Sequence, residues 1–193
     1  MASPSSPTLP AATLGARVAA YLIDSIVLLA VLLIFFVIGG AVLLFSSDLG
    51  DKDPPDAAFN AFISILIGGP VLFWSLLNLA LTRWRAQTAG MYVAGIVTTS
   101  DEGDVRAPRR VLLRWFGMHP TLYHPLFVPL WTLLAVYATS ATLSRGVLLV
   151  TIAPAMLCLA VPIASLAAMA LDSERRGIHD RIARTRVVPV DAP

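Results

Sequence analysis

The sequence predicts an all-α protein: a polytopic transmembrane bundle of four spans with a small cytoplasmic insert made of a hairpin and an interfacial helix. Three observations predict it. Of 193 residues, 57% are hydrophobic and 13% charged, and the mean hydropathy is +0.77. Soluble domains carry about 25% charged residues, and a single core of this size buries only about 70% of the surface its chain exposes. The remaining apolar surface needs lipid. Second, four long apolar runs punctuate the chain, and third, its basic residues gather in two segments that fall on one side of those runs.

Taken in order, residues 1–16 are uncharged and rich in Ser, Pro and Ala, the composition of an unstructured lead-in. Arg17 is the first basic residue and the apolar run behind it is too long for a cleaved secretory signal, so none is expected. Span one covers about 18–46, with no charge between Asp24 and Asp48, more than the roughly 20 residues that cross the hydrocarbon core. Span two covers about 57–82; its Gly68-Gly69-Pro70 triplet predicts a kink or local unwinding. The loop 83–118 is different in kind. YVAGIVTTSDEGDVR reads as two short strands around an acidic turn, and RRVLLRWFGM as an interfacial helix whose Arg side chains reach headgroups. Two further spans follow at about 121–143 and 146–171, each interrupted by two prolines, before a charged tail over 172–193.

Topology follows from counting basic residues in the connecting segments. The 47–56 loop has Lys52 against four aspartates and the 144–145 turn has Arg145, whereas the 83–118 loop has six arginines and the tail five. Positive charge accumulates on the cytoplasmic side, which puts the middle loop and both termini there. The near balance of charge (14 basic, 12 acidic) excludes a nucleic-acid binder, which would show a clustered basic face without long apolar runs. Cys158 stands alone and supports no disulfide.

Asp24 breaks the pattern of charge-free spans. An ionisable group inside a span costs about 2.5–3.5 kcal/mol or more and is a functional candidate by default. Arg17 lies seven residues earlier, on the same helical face about two turns away. The pair supports two readings, a bundle-locking ion pair or a direct part in transport or binding. In the tail, ERRGIHDRIARTRVV places Gly177 where a helix end or tight turn is expected, and sets His179, Asp180 and Arg181 side by side. Adjacent residues point in different directions, so these three form no compact cluster by themselves. Asp180 is expected either to dock on Arg17 or on Arg83 and Arg85, closing a polar network with Asp24, or to lie in a solvated tail. Gln87 and Thr88 offer further hydrogen bonds beside that network.

His119 and His124 lie five apart across Pro120, the wrong spacing for a metal-binding helix face, and no carboxylate accompanies them. No phosphate loop, dinucleotide fingerprint, nucleophile elbow or zinc-protease helix is present. The expectation is therefore a non-enzymatic protein with no metal and no cofactor.

The chain resembles the RDD family of membrane proteins. Arg17 and Asp24 in ARVAAYLID look like that family's first two signature residues. WRAQTAGMYVAGIVTTSDEGD resembles its GQTxGK segment and the LRVVDxxG that follows, including Gly90. RRVLLR, ending on Arg114, resembles its basic helix, and RRGIHDRIARTRVV its closing RxGxHDxxAxTxVV block, with Asp180 as the second signature aspartate. The blocks occur in the family's order over about 14–190. Two positions depart: Ala86 stands where the family has Gly, and Met91 where it has Lys. The resemblance implies a multi-pass protein of the bacterial inner membrane whose signature polar network is Arg17, Asp24 and Asp180, supported by Arg83, Arg85, Gln87, Thr88, Gly90, Arg114, His179 and Arg181. It implies little about activity. Ion, proton or small-solute transport is one expectation, and a non-catalytic accessory subunit of a larger membrane complex the other. The expected partners are the lipid bilayer and either a second copy or the other subunits of that complex.

Overall fold

The computed structural model describes residues 10–100 and 104–190. Helix α1 (Leu14–Ser46) opens on Thr13, whose hydroxyl accepts the Ala16 N–H at 3.1 Å. Its 33 residues make about 50 Å of helix, more than the roughly 30 Å hydrocarbon thickness. A short 3-10 turn, Asp48–Gly50, reverses the chain, and α2 (Asp56–Arg85) returns. Helix α2 does not unwind at Gly68-Gly69-Pro70 but stays helical through it. Gly69 instead admits the Phe35 ring of α1, which a Cβ would strike.

Beyond α2 come α3 (Ala89–Val93), β1 (Ile96–Thr99) and α4 (Pro108–Gly117). The expected hairpin is not formed. Residues 101–103 lie outside the described residues, and β1 pairs antiparallel with β2 (Arg186–Pro189) from the tail, Val97 opposite Val188. The cross-chain pairing wins because β2 supplies two buried valines, Val187 and Val188, where the segment from Asp104 offers only a polar turn.

The third span is also less regular than expected over 121–143. It consists of α5 (Pro120–Tyr123), a 3-10 turn at Pro125–Phe127 and α6 (Val128–Thr142). Pro120 and Pro125 each open a new helical segment because they lack an N–H to continue the previous one. Helix α7 (Arg145–Leu171) runs through Pro154 and Pro162 unbroken. Short α8 (Ile178–Ala183) precedes β2.

Four segments are thus long and apolar enough to cross a membrane: α1, α2, Pro125–Thr142 and α7. Their outward faces carry bare apolar side chains such as Val37, Leu72, Val136 and Val150, the pattern of helices solvated by lipid. Inside, Leu28, Trp74, Phe127 and Cys158 meet, one from each spanning segment. A second core, of Ala12, Ala20, Met91, Ile96 and Val187, sits where both ends of the chain converge.

That second core corrects the boundary expected for the lead-in. Residues 1–9 lie outside the described residues, but Ala12 is fully buried, its N–H donates to the Val187 carbonyl at 2.9 Å, and α1 already begins at Leu14. The tail strand offers the acceptor, so Ala12, just before α1, is tied to it.

Candidate functional site: a buried Arg–Asp–Arg cluster beside an intramembrane cavity

Asp180 sits in the first turn of α8 and is completely buried. Its Oδ2 accepts Arg17 Nη1 at 2.6 Å and the Gly177 N–H at 3.2 Å. Its Oδ1 accepts Arg114 Nη1 and lies 3.5 Å from Thr185 Oγ1 and from His179 Nε2. One carboxylate therefore holds two arginines from α1 and α4, both with side chains about 5% exposed. Gly177 is the residue before α8 rather than a helix C-terminus. A Cβ there would press on Ser165 Oγ at 2.8 Å, and that hydroxyl accepts the Ile178 N–H at 3.3 Å to hold α8 on α7.

Burial alone would raise the Asp180 carboxyl. The neighbouring guanidiniums, Arg114 foremost and then Arg17, outweigh it and hold the group well below the usual carboxylate range. His179 is pushed down to about 4, chiefly by burial and further by the two arginines, against the opposing pull of Asp180. With Asp180 already shared between two cations, a third positive charge gains little there. The imidazole is neutral at pH 7.

Asp24 forms a separate cluster. Its Oδ2 accepts the Thr88 hydroxyl at 2.6 Å and its Oδ1 the Gly90 N–H at 2.7 Å, while Thr88 Oγ1 accepts the Met91 N–H at 3.2 Å. Thr88 thereby caps α3 and presents its proton to the aspartate. Arg17 and Asp24 share a helical face as the spacing predicted, yet no ion pair joins them among the described residues. Two helical turns, about 10 Å, separate them, and each finds a nearer partner from distant sequence.

Four further expectations are corrected. Arg114 does not reach headgroups; it turns into the protein, where Nη1 also donates to Thr185 at 3.2 Å and Nη2 meets Met91 Sδ at 3.8 Å. Arg83 and Arg85 are exposed and take no part in holding Asp180; Arg85 lies over the Tyr92 ring at 5.2 Å. Arg181 points outward to Asp172 at 3.8 Å. Gln87 braces the chain instead of the cluster, donating to the Ile96 carbonyl at 2.8 Å. Sequence reasoning missed Thr185, Met91 and Ser165. Thr185 lies in the closing block and was open to notice as the one hydroxyl near Asp180.

The two departures from the resembled pattern now have a structural meaning. Met91 is buried with its thioether against Arg114, so this chain avoids a third cation beside a pair already sharing one carboxylate. Ala86 ends α2 in the left-handed region, at φ 55° and ψ 28°, which costs an L-residue about 1–2 kcal/mol. Ala86→Gly is expected to relieve that strain, less the loss of a small buried methyl and the greater freedom of an unfolded Gly. A net gain of about 0.5–1 kcal/mol should appear as a higher unfolding midpoint in detergent. A lower midpoint would mean that the methyl matters more than the strain.

Both clusters border one cavity of about 450 Å³ between the spans and a cap made of α3, β1, α4, α8 and β2, with Arg17, Asp24 and Arg114 on its wall and Trp74, Trp115 and Val161 among its apolar lining. The sequence model of the RDD family matches residues 11–184, which takes in every residue of both clusters except Thr185. The chain belongs to the RDD family. No curated protein and no solved structure matches it. This RDD protein is an integral membrane protein with a helical bundle, and the family's region ends inside the cap, one residue past Ala183, where α8 stops. Among the described residues no three His, Cys, Asp or Glu side chains gather as a metal site would require.

Proposed function

We propose that this RDD protein is a carrier that admits a small solute or ion into the cavity between its spans, with Asp24 as the ionisable group inside the membrane. The observation behind this reading is the cavity itself: it is of ligand size and joins the one carboxylate embedded in a span to the Arg17–Asp180–Arg114 cluster. The protein lies in the bacterial inner membrane with both termini in the cytoplasm. The positive-inside bias of the 83–118 loop and the tail supports that orientation, as does the contact between Ala12 and Val187 near the two ends. Alternating access usually needs a larger body than four helices, so the working unit is a homodimer. This reading assigns no catalysis to the cavity.

Vesicles reconstituted with the purified protein, loaded with a pH-sensitive dye and given a pH gradient, test this directly. Addition of Na⁺ or K⁺ should dissipate the gradient, and Asp24→Asn should slow that at least tenfold, because the amide keeps an acceptor for the Gly90 N–H but carries no exchangeable charge. A stoichiometric co-purifying partner with no flux in either protein would replace the carrier reading with that of an accessory subunit.

A further inference from the structure

Arg17 has unused binding capacity. Its Nη1 is taken by Asp180 and by Met169 Sδ at 3.6 Å, but Nε and Nη2 are buried without any hydrogen-bond partner. These two nitrogens form one edge of the guanidinium plane, the fork that grips two oxygens of a carboxylate or phosphate at once. Leaving such donors unpaired away from water is costly, and more so on a charged group. The side chain is 5% exposed and lines the cavity. Arg17 also shares its one ion-pair partner, the carboxylate of Asp180, with Arg114.

We infer that the cavity holds an amphipathic anion, its carboxylate or phosphate head on the Nε–Nη2 edge of Arg17 and its apolar body along the lining toward Trp74 and Val161. The head belongs at the Arg17 end. About 10 Å further along α1 the wall carries the Asp24 carboxylate, which accepts from Thr88 and Gly90 and repels an anion. The apolar character of the remaining lining selects a ligand with a hydrocarbon body over a bare ion. This goes beyond the carrier reading, whose proton and cation exchange at Asp24 needs no anion, and rests on the same cavity; binding is measurable without transport.

Trp74 and Trp115 on the cavity wall supply the probe. The protein in neutral detergent is titrated with 12-bromododecanoate, and with 12-bromododecanol as the uncharged match, following tryptophan quenching. The acid should quench saturably and the alcohol should not. Arg17→Lys keeps the charge facing Asp180 but removes the fork, and should weaken the acid at least tenfold. Val18→Phe narrows the cavity beside Arg17 without touching the ion pair, and should weaken it too, which covers the case where the lysine variant does not fold. Inorganic phosphate at millimolar concentration should not displace the acid. Equal quenching by acid and alcohol, parental affinity in the folded variants, or displacement by phosphate alone would each overturn the inference; the first result would leave those donors to water. Repeating the titration in phosphatidylcholine and phosphatidylglycerol nanodiscs separates sources: a weaker apparent affinity in the latter identifies a bilayer lipid as the occupant, and an unchanged one a free amphiphile. Saturable quenching without vesicle flux would retain the site and overturn the carrier. Flux lost in Asp24→Asn without quenching would do the reverse.

Discussion

Asp180→Asn is expected to destabilise the protein by about 3–5 kcal/mol, the range for removing one partner of a buried ion pair. The substitution is nearly isosteric, so no cavity confuses the result. What changes is charge: Arg17 and Arg114 remain buried at about 5% exposure with no carboxylate between them. In addition, the Gly177 N–H that opens α8 loses a charged acceptor. The unfolding midpoint in detergent should fall by on the order of 10 °C, and a change below about 1 kcal/mol would show that the pair is solvated. The parent should also have a distinctive pH profile. His179 is neutral when folded, with its pKa lowered to about 4 from about 6.5 unfolded. The unfolded state therefore binds more protons between those values, and stability falls as pH drops from about 6.5 to about 4. The contribution of Asp180, whose folded pKa is depressed, is intact above its unfolded pKa of about 3.9 and disappears only as pH falls further toward the folded value. Two successive losses on acidification are expected in the parent, and only the first in Asp180→Asn.

The parts of this fold legible in the sequence are those set by local physics. A charge-free run longer than the bilayer is thick has one stable environment, so the four spans follow from composition, although not the start of the first or the broken course of the third. Pairing of Arg17 with Asp180 was legible as one of two candidate dockings, because a buried-type carboxylate has few cations to choose from. The partners of Asp24 were not legible: Thr88 and Gly90 lie more than sixty residues away, and a backbone N–H leaves no mark in a side-chain pattern. Arg114 was placed on the wrong side for a related reason. The amphipathic pattern of α4 shows that it has two faces, but which face is buried depends on α8 presenting Asp180 to it. The strand β1 likewise had the right residues and the wrong partner, since alternation identifies a strand and says nothing about what it pairs with.

Gly90→Ala is expected to be nearly as damaging as the loss of Asp180, although it adds only a methyl group. A Cβ at this position would overlap the Ala20 carbonyl oxygen and lie 2.9 Å from Asp24 Cγ. The obstacle is main chain within α1, which cannot rotate away as a side chain can. Relief requires α3 to lift off α1, and that movement stretches the Gly90–Asp24 and Thr88–Asp24 hydrogen bonds together. Overpacking alone costs about 1–3 kcal/mol, and weakening the two bonds together forfeits about one bond to a charged group, about 1.5–3 kcal/mol, so a total of about 3–5 kcal/mol is expected in detergent unfolding. Vesicle flux should fall as far as in Asp24→Asn, because the carboxylate inside the span loses both of the donors that position it. Gly40→Ala is the control, a helical glycine of α1 at which a Cβ meets nothing within 4 Å. It should be neutral or slightly stabilising, by up to about 1 kcal/mol. Equal effects from the two substitutions would mean that helix propensity, not close approach, governs the position. The contrast isolates what the glycine provides: room for a main-chain N–H to reach an aspartate that would otherwise face the membrane interior alone.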